Sequence, residues 1–190
     1  MNTKPILASC ALALALFGLP AQAAASQPFD QELSLRGELQ SALWPADIVR
    51  LADEYRRLYP DSSWRPNVDA MRQAAADAMD ALNRRDVTLY RSAFNTAPDA
   101  DGQTADLRRA ALGDKDAALK LARQSLRSSD GPTRYVGWLQ YAATLGHEAA
   151  AYELALHFRR QEQPALASMY ESRAIEMGYV PPSWLDHTRK

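Results

Sequence analysis

Apolar side chains recur three and four positions apart over most of this chain, the spacing of one stripe along an α-helix. Phe29, Leu33, Leu35 and Leu39 predict a first helix ending near Leu43. Pro45 suits the first position of a second helix, whose apolar face is Ile48, Leu51, Ala52, Tyr55 and Leu58. Tyr59-Pro60-Asp61-Ser62-Ser63 is a break, and Pro66 opens a third helix carrying Val68, Met71, Ala75, Ala78, Met79 and Leu82. Val87 to Phe94 predicts a short helical piece. Asn95 to Gly102, rich in turn formers, reads as a linker. Helices are then expected at about 104–112, 114–128, 133–145, 147–161 and 164–177, with corners at Asp130-Gly131-Pro132 and Gln163-Pro164. Pro181 and Pro182 open a last short segment through Trp184.

Within the second half the pattern repeats. Trp138 and Ala142 stand one turn before Gly146, as Tyr170 and Ala174 stand before Gly178. Ala150, Leu154 and Ala155 follow Gly146 at the offsets at which Ala117, Leu121 and Ala122 follow Gly113. Gly113 to Gly146 is 33 positions and Gly146 to Gly178 is 32, a period that marks stacked helical hairpins. Each glycine suits a left-handed residue closing a helix before a tight turn. Alanine at the seams lets backbones approach, and the large aromatic fills the gap to the next hairpin. No hairpin covers its own apolar stripe, so stacking must drive folding.

These residues resemble the Sel1-like repeat family, a relative of the tetratricopeptide repeat. Trp138, Ala142, Ala143, Gly146, Ala150 and Leu154 match its signature in order, with Phe158 in place of a tyrosine. Ala167, Tyr170, Arg173, Ala174 and Gly178 match the next first half, and Ala110, Gly113, Asp114, Ala117 and Leu121 a preceding unit. Ala122, Ala155 and Gln161 replace glycines of the signature, and Pro182 and Asp186 end it. The resemblance implies an all-α, right-handed helical-hairpin solenoid over residues 102–180. An N-terminal helical capping region would occupy 24–101 and a C-terminal cap 181–190. It also implies an adaptor or scaffold. Secreted members of the family include envelope-assembly scaffolds and immunity proteins that block toxic effectors.

Residues 1–23 read as a secretory signal: Lys4, an apolar run from Ile6 to Leu19, and the small-residue site Ala21-Gln-Ala23. The run is too short for a membrane span of about 20 residues. Leu7-Ala-Ser-Cys10 matches a lipoprotein box superficially, but most of the apolar run follows Cys10, which disfavours lipidation there. The expectation is a periplasmic protein cut near Ala23 to Ala25. Cys10, the only cysteine, would leave with the signal, so the mature chain would rely on packing without a disulfide. Its charge balance of about −2, with Lys4 gone, argues against a nucleic-acid partner.

Motifs for catalysis are missing: no Gly-x-Ser-x-Gly elbow, phosphate loop or dinucleotide fingerprint occurs. His147, His157 and His187 lack metal-ligand spacing, and Asp99-Ala-Asp101-Gly102 lacks the later ligands of a calcium loop. No cofactor and no metal are expected. The leading expectation is a non-catalytic protein–protein interaction module. The alternative is an envelope enzyme acting on peptidoglycan through a carboxylate in a solenoid groove. The residues singled out for partner binding are Arg123, Arg127, Tyr152, Leu156 and Arg160, on the helix of each unit that would line the concave face. Two roles are open to the arginines: an interaction ladder for a protein with an acidic or mixed surface, or complements to helix dipoles in last turns.

Overall fold

The structure is a computed structural model that describes residues 23–95, 101–127 and 131–180. The expected signal and lipoprotein box, Asp99 of the calcium-like turn, Asp130, Trp184 and His187 lie outside the described residues. Those described form eight α-helices, one 3-10 turn and no strand. The helices are α1 (Ala23–Ser41), α2 (Pro45–Leu58), α3 (Arg65–Leu82), α4 (Asp101–Ala111), α5 (Lys115–Ser125), α6 (Gly131–Thr144), α7 (Glu148–Arg160) and α8 (Pro164–Glu176), with the 3-10 turn at Arg91–Phe94. Packing runs between chain neighbours, and α3 also touches both α4 and α6.

Proline sets three of the starts: Pro45, Pro66 and Pro164 each sit in a first turn, where the missing N–H costs nothing. Asp114 caps α5, its Oδ1 accepting from the backbone N–H of Asp116 (3.0 Å) and Ala117 (2.9 Å). Helix α5 ends at Ser125 and α6 starts at Gly131, both sooner than the periodicity predicts, and a Cβ on Gly131 would lie 2.7 Å from the Ser125 carbonyl oxygen.

Gly113, Gly146 and Gly178 all take positive φ, at 81°, 89° and 96°. At each, the next residue's N–H reaches back five positions: Asp114 to Arg109, His147 to Ala142, Tyr179 to Ala174, at 3.1, 3.0 and 2.9 Å. This is one C-terminal cap made three times at the sequence period. A fourth copy closes α7, where Gln163 N–H bonds the Phe158 carbonyl at 3.0 Å and Glu162, not a glycine, sits at φ 56°.

Trp138 and Tyr170 are buried, as are Ala117, Leu121, Ala122, Ala142, Ala150, Leu154, Ala155 and Ala174. Full burial of each large apolar side chain contributes about 1.5–3 kcal/mol. Tyr141, also buried, donates to the Ala110 carbonyl one unit earlier at 2.7 Å, and Phe158 stacks on Tyr170. The segment from Asn83 turns and then crosses α6 without regular structure over residues 87–90, so that of Val87 to Phe94, expected to be a short helical piece, only the 3-10 turn Arg91–Phe94 is helical. There Gln140 Oε1 accepts from Thr88 N–H and Oγ–H, and Phe94 lies between Trp44 and Trp138 at 5.1 and 4.8 Å. Asp86 of the same segment pairs with Arg173 of α8 at 3.0 Å. The N-terminal helices are thereby tied into the repeated hairpins.

Candidate functional site

Helix α5 buries Ala117, Ala118, Leu121 and Ala122 inward, which turns Asp116, Lys120, Arg123 and Gln124 to the other side. Spacings of three and four put these on one stripe, and Arg127 continues it just past the helix end. With Leu119 and His147 they line a cavity of about 470 Å³ between α5 and the head of α7.

The basic side chains differ in what holds them. Lys120 Nζ lies 2.7 Å from Asp106 Oδ2 of α4, a carboxylate that is itself buried. The Arg123 guanidinium grips Glu153 Oε1 of α7 through Nε and Nη2, and Tyr135 donates to the other Glu153 oxygen at 3.2 Å. Burial, and then Glu153, pushes the Tyr135 hydroxyl up to about 12. The hydrogen bond from Arg123 to Glu153 raises the guanidinium further. The Arg127 residue is exposed, and its side chain makes no hydrogen bond or ion pair among the described residues.

At the other end of the cavity, His147 begins α7. Its side chain is 11 % exposed, with Nε2 3.3 Å from Asp116 Oδ1 and Nδ1 3.9 Å from Glu148 Oε2. His147 Nδ1 and Gln124 Oε1 are buried without a hydrogen-bond partner, which is costly unless something supplies one. Lys115 spans the same corner, donating to the Gly146 carbonyl at 3.1 Å.

Arg123 and Arg127 therefore share one groove wall, as their spacing predicts. Arg160 does not join them there: its Nε donates to the Leu156 carbonyl of its own helix at 3.2 Å, in the last turn where a cation complements the dipole. It remains within electrostatic reach of Tyr135, and burial first and Arg160 second hold the neighbouring His157 below its ordinary value. Tyr152 is half-buried and stacks on Tyr179 with ring centres 4.4 Å apart, and Leu156 is half-buried beside it on α7. Lys120, Gln124, Asp116 and His147 are not among the residues that the sequence marks for partner binding. For Lys120 the signal was available, since it precedes Arg123 by three positions and Arg127 by seven.

Among the described residues, no group of three His, Cys, Asp or Glu side chains is placed to hold a metal ion, and no helix is long and apolar enough to cross a membrane. Compared with protein-family models, curated proteins and solved structures, the chain gives no match.

Proposed function

We propose that the chain is a secreted, periplasmic and non-catalytic interaction module that holds another protein. In this reading the hairpins form a right-handed solenoid of Sel1-like repeats, and the partner lies along α5 and α7. Supporting the solenoid are the three left-handed glycine corners at a period of 32–33 residues and the packing of chain neighbours. Supporting export are Lys4, the apolar run to Leu19 and the Ala21-Gln-Ala23 site. The observation that carries the docking assignment is the α5 stripe. A helix packed inward through alanine and leucine carries Lys120, Arg123, Gln124 and Arg127 outward around a cavity, and long side chains of this kind anchor protein interfaces. Such a surface is compatible with either a scaffold for envelope assembly or an immunity protein against an envelope-targeting effector.

The test is quantitative purification of the tagged, full-length protein from envelope extracts of the producing cells. One stoichiometric companion protein is expected, and its recovery should fall about tenfold when Arg123 and Arg127 are both changed to Glu. No companion, or peptidoglycan turnover abolished by one carboxylate substitution, would contradict the reading.

A further inference from the structure

The cavity beside α5 has a direction. Asp116 and His147 stand at its α5 N-terminal end, and Arg123, Gln124 and Arg127 at the other. At the basic end the two arginines are not equivalent. Glu153 already occupies Nε and Nη2 of Arg123, whereas the exposed Arg127 side chain has no partner among the described residues. Dipole complementation accounts for a cation near this helix end. It does not account for Gln124 Oε1 and His147 Nδ1, atoms of the same cavity lining that are buried without a hydrogen-bond partner.

We propose that this groove receives an extended, acidic segment of the partner protein, its carboxylates seated on Arg127 and Arg123, with Glu153 as the internal placeholder that the segment displaces. The inference rests on the docking assignment above. Arg123, in α5, and Arg127, just past its end, are four positions apart, a spacing that corresponds to about 6 Å along a helix axis. Side chains two apart on an extended chain are separated by about 6.7 Å. Acidic residues at alternate positions therefore match both arginines at once, and guanidinium is the cation that donates to a carboxylate in a forked geometry. Displacement is helped by solvent at the arginine, whose side chain is 58 % exposed, while Glu153, 22 % exposed, keeps its hydrogen bond from Tyr135. Solvent-screened pairs cost a competitor no more than about fivefold in affinity.

A fluorescein-labelled hexaglutamate peptide, titrated with the mature protein at low salt and followed by anisotropy, tests this. Hexaglutamate should bind, more weakly as salt rises, while hexaglutamine should not. Arg127→Glu should weaken binding at least tenfold. Arg127 is exposed and unpaired, so that variant keeps its helices, which circular dichroism checks. Glu153→Gln should tighten binding, by up to about fivefold, an effect opposite in sign to damage at a merely structural pair. Equal affinity for hexaglutamine, an unchanged Arg127→Glu protein, or Glu153→Gln binding no tighter would each overturn the proposal. If hexaglutamate fails while the stoichiometric companion is still recovered, the acidic segment falls and the module stands.

Discussion

Gln140 accepts two hydrogen bonds from Thr88, 52 positions earlier, at 2.9 Å from the backbone N–H and 2.8 Å from the hydroxyl. The pair fastens the strap after α3 across α6, one of the contacts that join the N-terminal helices to the later ones. Gly137, one turn before Gln140, makes room: a Cβ there would come 3.0 Å from the Thr88 carbonyl oxygen and 3.1 Å from Leu89 Cδ1.

Gln140→Leu should therefore destabilise the protein by about 1–3 kcal/mol, the cost of leaving the part-buried Thr88 N–H and hydroxyl unpaired. Gly137→Ala should also destabilise, by about 1–3 kcal/mol, because backbone on the strap cannot yield as a side-chain tip would. It does so despite the better helix propensity of alanine. Urea unfolding of the two variants checks both values, and an unchanged midpoint in either would remove the strap from the account.

The glycine corners make a prediction with opposite signs at equivalent places. A Cβ at Gly146 would meet nothing within 4 Å, so Gly146→Ala carries only the strain of φ +89°, about 1–2 kcal/mol. Glu162 bears that strain already at φ 56°. Glu162→Gly should thus stabilise the fold by up to about 1 kcal/mol, net of the extra freedom glycine gains when unfolded. Thermal melts of the two variants should shift in opposite directions.

Acid should loosen the first helix. Glu32 of α1 accepts from the Tyr55 hydroxyl at 2.5 Å and from Ser62 Oγ at 2.8 Å, and it pairs with Arg36. The Tyr55 hydrogen bond first, and Ser62 next, hold its carboxyl below the ordinary 4.5. A carboxyl depressed in the folded state stabilises fully above its unfolded value, and that contribution is lost as pH falls through the folded one. Unfolding free energy measured from pH about 6 down to about 3 should fall less steeply in Glu32→Gln than in the natural protein. Parallel slopes would contradict the linkage.

The helices and the glycine corners are legible in the sequence because they are local. Apolar residues three and four apart, proline in first turns and glycine at a fixed period each act through neighbours in the chain. The strap is not local, and Val87 to Phe94 reads as a weak helix until Thr88 meets Gln140. Its one trace is Gly137, a helix-interior glycine beside a core tryptophan, where close backbone approach outweighs propensity. At the corner that Gln163-Pro164 announces, the left-handed residue itself was not legible, since Glu162 occupies that position in place of a glycine. At the groove, Arg123 and Arg127 follow from spacing. The grip of Glu153 on Arg123 and the entry of His147 depend on how α7 lies against α5, which periodicity does not state.

The central claim, that the α5–α7 face holds another protein, is tested most directly by site-specific photocrosslinking in the producing cells. A photoreactive residue at position 127 or 156 should give one discrete adduct with a second protein, and the same residue at Arg57, exposed on α2, should give none. No adduct from 127 and 156, or the same adducts from all three positions, would contradict the account.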